Sequence, residues 1–185
     1  MVAGSEHTRL IVLRGNSASG KSTIAARLRA CYGRGLAVVG QDVIRRDILR
    51  ERDQAGAATI GLIDVVVRYA LDNDYHVVLE GILYADRYGA MLQALRAGHR
   101  GSSHFYYLDV PFAETLRRHA TKPQASAYGE TEMREWFRPL DLLDTGCEQI
   151  IGPDSSPEET LQRILADTGL TTAHTRAGED RQAFG

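Results

Sequence analysis

At 185 residues, with 43% hydrophobic and 25% charged side chains, the chain suits one soluble globular domain with its own core. A net charge of −2 supplies no overall basic field, which disfavours a polynucleotide partner, and no apolar run approaches the length of a membrane span. Cys31 and Cys147 stand far apart without metal-ligand spacing, and residues 1–7 lack the charged and apolar regions of a signal peptide, so a reduced, cytoplasmic protein is expected.

Residues 1–7 are expected to form a flexible terminus, and the first strand to run from Thr8 to Leu13 around the apolar stretch Leu10-Ile11-Val12-Leu13. Gly15-Asn16-Ser17-Ala18-Ser19-Gly20-Lys21-Ser22 follows at once and fits G-x-x-x-x-G-K-[ST] at every fixed position. A helix from Thr23 to Cys31 completes the strand–loop–helix setting that the motif needs. Glycines at 15 and 20 allow the close backbone approach that turns the intervening N–H groups inward around a polyphosphate. Lys21 can then reach the β- and γ-phosphates, and the Ser22 hydroxyl can ligate Mg²⁺. The chain uses arginine for nearly all its cations, and Lys21 and Lys122 are its only lysines. Residues 15–23, through Thr23, are therefore the expected nucleotide site, with ATP and Mg²⁺ as cofactors.

Leu36–Gly40 reads as the second strand, with Gln41-Asp42 at its C-terminal end. Helical spacing of Val43, Ile44, Ile48 and Leu49 predicts a helix to about Arg52, and a second helix is predicted over 60–72 with Ile63, Val66, Val67, Ala70 and Leu71 inward. His76-Val77-Val78-Leu79 is a third strand that stops at Glu80-Gly81. A helix over 86–97, a strand over 104–110, and helices over 112–120 and 130–137 follow. A brief strand over 147–151 and a helix over 157–168, capped by Ser155 or Ser156, complete the pattern. Strands alternating with helices predict an α/β fold: a doubly wound, five-stranded parallel sheet over residues 8–169, flanked by helices and carrying a small helical lid over 117–138. Residues 170–185 are polar and small, and are expected to be a flexible tail.

In three stretches, Gly15–Ser22, Gln41-Asp42-Val43-Ile44-Arg45, and Leu108-Asp109-Val110-Pro111 through Lys122, the chain resembles the P-loop kinases of small-molecule and nucleic-acid hydroxyls. That group contains polynucleotide kinase, zeta-type toxins, chloramphenicol phosphotransferase and gluconate kinase. The resemblance implies that Asp42 contacts the acceptor hydroxyl and helps to remove its proton; on the residues alone, Asp42 is equally placed to cap the next helix. It implies that Arg45 holds a phosphate of the acceptor, although pairing with Asp42 or plain solvation also fits its spacing. Glu80 stands where such proteins keep a carboxylate, to hold Mg²⁺ through water or to touch substrate. Tyr84, Asp86 and Arg87 follow in a loop over the same edge and are candidates to line the acceptor site, with capping of the next helix an equal alternative for Asp86. Arg118 and Lys122 match the paired cations of the lid, with a solvated basic helix end as the bland alternative. Trp136 fits either the lid, a wall of the acceptor site, or the core.

Together these readings predict an ATP-dependent phosphotransferase acting on a hydroxyl of a small molecule such as a nucleoside, sugar or antibiotic. Two alternatives stay open: a polynucleotide 5′-hydroxyl kinase, which the acidic balance disfavours, and an ATP-binding regulatory protein without an acceptor. The motifs leave the acceptor itself and the oligomeric state unassigned.

Overall fold

The computed structural model describes residues 1–121 and 128–171. Strands β1 (Arg9–Arg14), β2 (Leu36–Gly40), β3 (His76–Glu80), β4 (Ser102–Leu108) and β5 (Glu148–Ile151) form one sheet in the order β2-β3-β1-β4-β5, parallel at every pairing. The helices are α1 (Lys21–Tyr32), α2 (Ala58–Asp72), α3 (Ala85–Gly98), α4 (Phe112–His119), α5 (Glu130–Trp136) and α6 (Pro157–Thr168). Both the five strands and their parallel doubly wound arrangement agree with the sequence pattern, with ends shifted by one or two residues.

The central strand explains the layering. Leu10 and Val12 of β1 face a layer with Ile63, Val67 and Leu71 of α2 and Leu92 of α3, while Ile11 and Leu13 face Ile24 and Leu28 of α1 and Ile164 of α6. Buried on both faces, β1 reads in sequence as an unbroken apolar run instead of an alternating one. Because every strand is parallel, the strand C-termini share one edge of the sheet, and Glu80 at the end of β3, Asp42 just after β2 and Ser22 at the start of α1 all fall there.

Three local expectations need correction. The segment after β2 is not an α-helix to residue 52; it is a π-helical turn over Val43–Ile48, with Leu49 N–H donating to Ile44 O at 3.0 Å. Of its supposed inner face only Ile44 is buried, whereas Val43 and Ile48 are 53% and 61% exposed. Wider π spacing rotates those side chains out of the stripe that a 3.6-residue period assigns to them, and such turns recur at functional sites. Helix α2 starts at Ala58 because Glu51, seven residues upstream, accepts from Ala58 N–H at 3.0 Å and Thr59 N–H at 2.9 Å. Val66 lies toward solvent beside the buried stripe of α2.

The N-terminal segment, expected to be flexible, is held in place. Ala3 is buried, donates to Gly98 O and accepts from Arg100 N–H, and Gly4 N–H donates to Asp72. At the other end Leu170 packs into the α1–α6 layer; residues 172–185 lie outside the described residues. Ser156, of the two serines considered, caps α6 in a reciprocal capping box with Glu159. Cys31 and Cys147 are free thiols, one against each core layer. Among the described residues no helix is long and apolar enough to cross a membrane.

Two histidines staple the strand starts. His99 bridges Thr8 Oγ1 and Ser103 Oγ at 2.9 Å each, and His104 Nε2 lies 2.9 Å from Ser102 Oγ. Burial is the main cause that pushes both rings below their ordinary value of 6.5. The unfolded chain therefore takes up protons that the folded one refuses, so stability is complete above pH 6.5 and falls as pH drops below it. Thermal unfolding is expected to show Tm declining from pH 7 toward pH 5, and His99→Gln should flatten that slope. An unchanged slope in the variant would remove His99 as its source.

Candidate active site

The phosphate loop is shaped by contacts that only glycine permits. Gly15 has φ +139°, and a Cβ there would lie 2.5 Å from Leu108 O of β4. The loop then closes with Ser19 N–H on Asn16 O, and α1 begins at Lys21 with neither a capping side chain nor an acidic residue in its first turn. That open helix N-terminus is suited to an anion. Lys21 is only 6% exposed, and its Nζ donates to Asn16 O at 2.8 Å and Ser19 Oγ at 3.2 Å. It is thus folded across the inside of the loop. Ser17 sits in the turn itself, while Ala18, Ser19, Gly20 and Thr23 line a cavity of about 370 Å³ whose far wall includes Leu108, Val110 and Ile151.

Asn16 does something that the motif does not announce. Its side chain is buried, donates Nδ2–H to Arg138 O at 2.8 Å and accepts Arg138 N–H at 2.9 Å. This two-way amide clamp ties the phosphate loop to the segment after α5.

Opposite the loop stand the ends of β3 and β2. Parallel register sets Glu80 beside Leu13 on one side and Gly40 on the other, so its carboxylate faces the start of α1. Ser22 Oγ donates to Glu80 Oε2 at 3.0 Å. Gly81 follows because Gln41 passes against it: a Cβ there would come within 2.5 Å of Gln41 Oε1. Buried Gln41 accepts Leu83 N–H and donates to Tyr88 Oη, and Tyr88 in turn donates to Asp53. Next to this anchored residue, Asp42 is 64% exposed. Although Asp42 occupies the cap position of the π-helical turn, its side chain makes no capping bond. It accepts from Arg45 Nη2 at 2.9 Å and pairs with Arg46 Nε at 3.2 Å. Of the two readings of Asp42, the cap is the one not made.

Arg118 reaches the loop from α4: its Nη1 donates to Ser19 O at 3.2 Å and its Nε to Glu114 Oε1 at 2.7 Å. Hydrogen bonds from Arg117 and then Arg118 hold the Glu114 carboxyl at about 2, so that it stays ionised and keeps Arg118 aimed. Lys122 lies outside the described residues. His119 is buried; its Nε2–H donates to Tyr128 O and its ring stacks on Tyr128, which leans on Trp136. These contacts connect the two ends of the expected lid.

A second cavity, of about 420 Å³, lies between the π-helical turn, the start of α3 and the end of α5. Tyr84, Arg45 and Trp136 are all on its wall. Tyr84 Oη donates to Trp136 O at 2.7 Å, and burial raises its pKa, which keeps the donor proton in place. The guanidinium carbons of Arg87 and Arg138 lie over the Tyr84 ring, 4.8 Å and 4.1 Å from its centroid. Arg138, Asp53 and Gln41 were not found by sequence reasoning. Arg138 is distant in the chain, and nothing local distinguishes it from the other arginines; the Gln41-Asp42 pair was the one available signal for Gln41.

Two comparisons with known proteins now bear on this geometry. A family profile described as an AAA domain matches residues 10–140. The chain belongs to that family. Solved P-loop kinases share its fold. The APS kinase of Mycobacterium tuberculosis has 18% identity and a TM-score of 0.67, over 90% of this chain and 98% of that one. A sugar kinase from Janibacter sp. has 19% identity and a TM-score of 0.65, over 88% and 95%. A gluconokinase from Sinorhizobium meliloti has 15% identity and a TM-score of 0.54, over 90% and 91%. A sequence comparison with curated proteins finds no match.

Proposed function

We propose that the protein is an ATP-dependent phosphotransferase that moves the γ-phosphoryl group to a hydroxyl of a small molecule. The observation that carries this reading is the Ser22–Glu80 hydrogen bond of 3.0 Å at the mouth of the phosphate loop, with Asp42 two residues beyond the adjoining β2. Shared fold with solved kinases supports it. The nucleotide's phosphates would lie on the N–H groups of residues 15–22 and on Lys21, with its base toward the cavity beside Leu108 and Ile151. Ser22 and Glu80 supply hard oxygen donors of the kind Mg²⁺ takes, Glu80 through water. Bound there, Mg²⁺ would neutralise charge on the phosphate oxygens.

In the step itself the acceptor oxygen attacks the γ-phosphorus in line, and the bond from that phosphorus to the β–γ bridging oxygen breaks, releasing ADP. The acceptor proton passes to the Asp42 carboxylate and from there to solvent. Arg118, held between Glu114 and the loop, stabilises the charge spreading over the transferring group, and Lys122 is proposed to share this task. Arg45 and Tyr84 orient the acceptor.

The test is to incubate the protein with Mg·ATP and a metabolite mixture and to look by mass spectrometry for a product heavier by one phosphoryl group. The product is expected only with ATP present. Steady ATP hydrolysis with no phosphorylated product from any hydroxyl compound would instead favour the acceptor-free regulatory ATPase.

A further inference from the structure

The cavity on the acceptor side has a charge that does not match the chain. Its wall carries five arginines, Arg45, Arg46, Arg52, Arg87 and Arg138, against two carboxylates, Asp53 and Glu135, in a protein of net charge −2. Concentrating like cations around about 420 Å³ costs self-repulsion unless something negative is held there.

Internal pairing does not use up these charges. Arg45 and Arg46 share the single Asp42 carboxylate. Arg87 pairs with Asp53 at 3.3 Å and more loosely with Asp86 at 4.0 Å, and Arg138 pairs with the same Asp86 at 2.9 Å and at 3.9 Å with Asp141, which Arg14 already engages; the carboxylates are shared, and each arginine keeps an Nη2 with no ion pair among the described residues. Arg52 has no ion pair among the described residues and is exposed. Arg45 also retains a buried Nε–H with no hydrogen-bond partner among the described residues. Both guanidinium carbons lie over the Tyr84 ring, and although Nη1 of each is engaged by Asp53 or Asp86, Nη2 of each makes no hydrogen bond among the described residues and is a donor an oxyanion can use.

The two best-placed arginines are also the most firmly supported. Arg87 is held by Asp53, the end of the Gln41–Tyr88–Asp53 chain that begins beside Asp42, and the Arg138 backbone is clamped by Asn16 of the phosphate loop. Second contacts of this kind set a binding group in place before a ligand arrives.

We infer that the acceptor is a small molecule carrying an oxyanion, a phosphate monoester or a carboxylate, apart from the hydroxyl that is phosphorylated, and that Arg87 and Arg138 grip this oxyanion with help from Arg45 and Arg52. The inference rests on the kinase reading for the word acceptor; the oxyanion site itself stands on the cavity.

Matched pairs of compounds test it: glucose with glucose 6-phosphate, adenosine with AMP, and glucitol with gluconate. Binding is measured by calorimetry on the full chain with a non-hydrolysable ATP analogue and Mg²⁺ present, and transfer by mass spectrometry with ATP. In at least one pair the charged member should bind about tenfold or more tighter than its neutral partner, and it should be the one phosphorylated. The phosphate and carboxylate pairs separate the two sources of oxyanion. Arg138→Gln and Arg87→Gln should each weaken that binding by about 10- to 100-fold, with Arg138→Lys recovering part of it. Arg52→Gln, at an exposed position, keeps the test usable if either of those variants does not fold, and should weaken binding less. Charged compounds that bind without being phosphorylated would sink the kinase reading and leave the oxyanion site. Neutral members bound and phosphorylated as well as charged ones would overturn the inference and leave the kinase. Transfer confined to an oligonucleotide with a free 5′ hydroxyl, or no charge preference in any pair, would also overturn it.

Discussion

Asp42→Asn is expected to lower acceptor-dependent phosphoryl transfer by about 10²- to 10⁴-fold, the range for losing a positioned general base. Nucleotide affinity should be unchanged, because among the described residues the Asp42 side chain pairs only with Arg45 and Arg46 and with nothing in the phosphate loop. Stability should also hold. Asp42 is 64% exposed, it makes no helix cap, and exposed ion pairs are worth about 0–1 kcal/mol at most. A fall in rate can then be assigned to chemistry. Single-turnover transfer with the acceptor found by mass spectrometry is the measurement. Full transfer by the variant would make Asp42 a charge partner for two arginines and nothing more, and would move the search for the base to Glu80.

The second large effect is on folding. Arg14, at the C-terminal end of β1, has a side chain that is 0% exposed; its Nη1 donates to Glu148 at 2.8 Å, its Nη2 to Asp141 at 3.1 Å and its Nε to Leu83 O at 2.9 Å. One guanidinium thus joins the central strand, the edge strand β5, the segment before β5 and the turn after β3. Asp141 goes on to accept Ala85 N–H at the start of α3. Arg14→Met removes the cation and leaves Glu148, itself only 2% exposed, without its partner. The expected cost is about 3–5 kcal/mol, because stranding a buried charge is worse than never having buried the pair. Urea unfolding should show it, and Arg14→Met with Glu148→Gln should recover part of the loss. A cost under about 1 kcal/mol, the value of an exposed pair, would mean that water reaches this site.

The residues that sequence reading recovered and those it missed differ in one physical respect. Gly15, Gly20, Lys21 and Ser22 fall within eight consecutive residues, and their fixed spacing is visible in the chain whatever distant segments later pack on the loop. Glu80 and Asp42 could be located because each ends an apolar strand, and a parallel sheet delivers its strand ends to one edge. Arg14, by contrast, looks like an ordinary polar residue after a strand until Asp141 and Glu148 arrive from more than a hundred residues away. Asn16 sits inside the motif at a position where any residue is allowed, and its bonds to Arg138 exist only after α5 has packed. His119 belongs to no motif, and its partner is a main-chain carbonyl, which leaves no mark in composition. The π-helical turn after β2 was misread because a 3.6-residue period was imposed on a short stretch with only one buried apolar residue, Ile44.

The sequence by itself determined the phosphate loop, the five strands and their alternation with helices, and the two carboxylates at the sheet edge. Each of these follows from local backbone demands or from hydrophobic period, which neighbouring residues settle among themselves. Only the tertiary structure decided that the Asp42 side chain makes no helix cap, that Ser22 and Glu80 meet at 3.0 Å, and that arginines from four separate segments line one cavity beside the π-helical turn. Those facts depend on which distant segments the sheet brings together, and long-range juxtaposition of like charges has no period for a sequence to display.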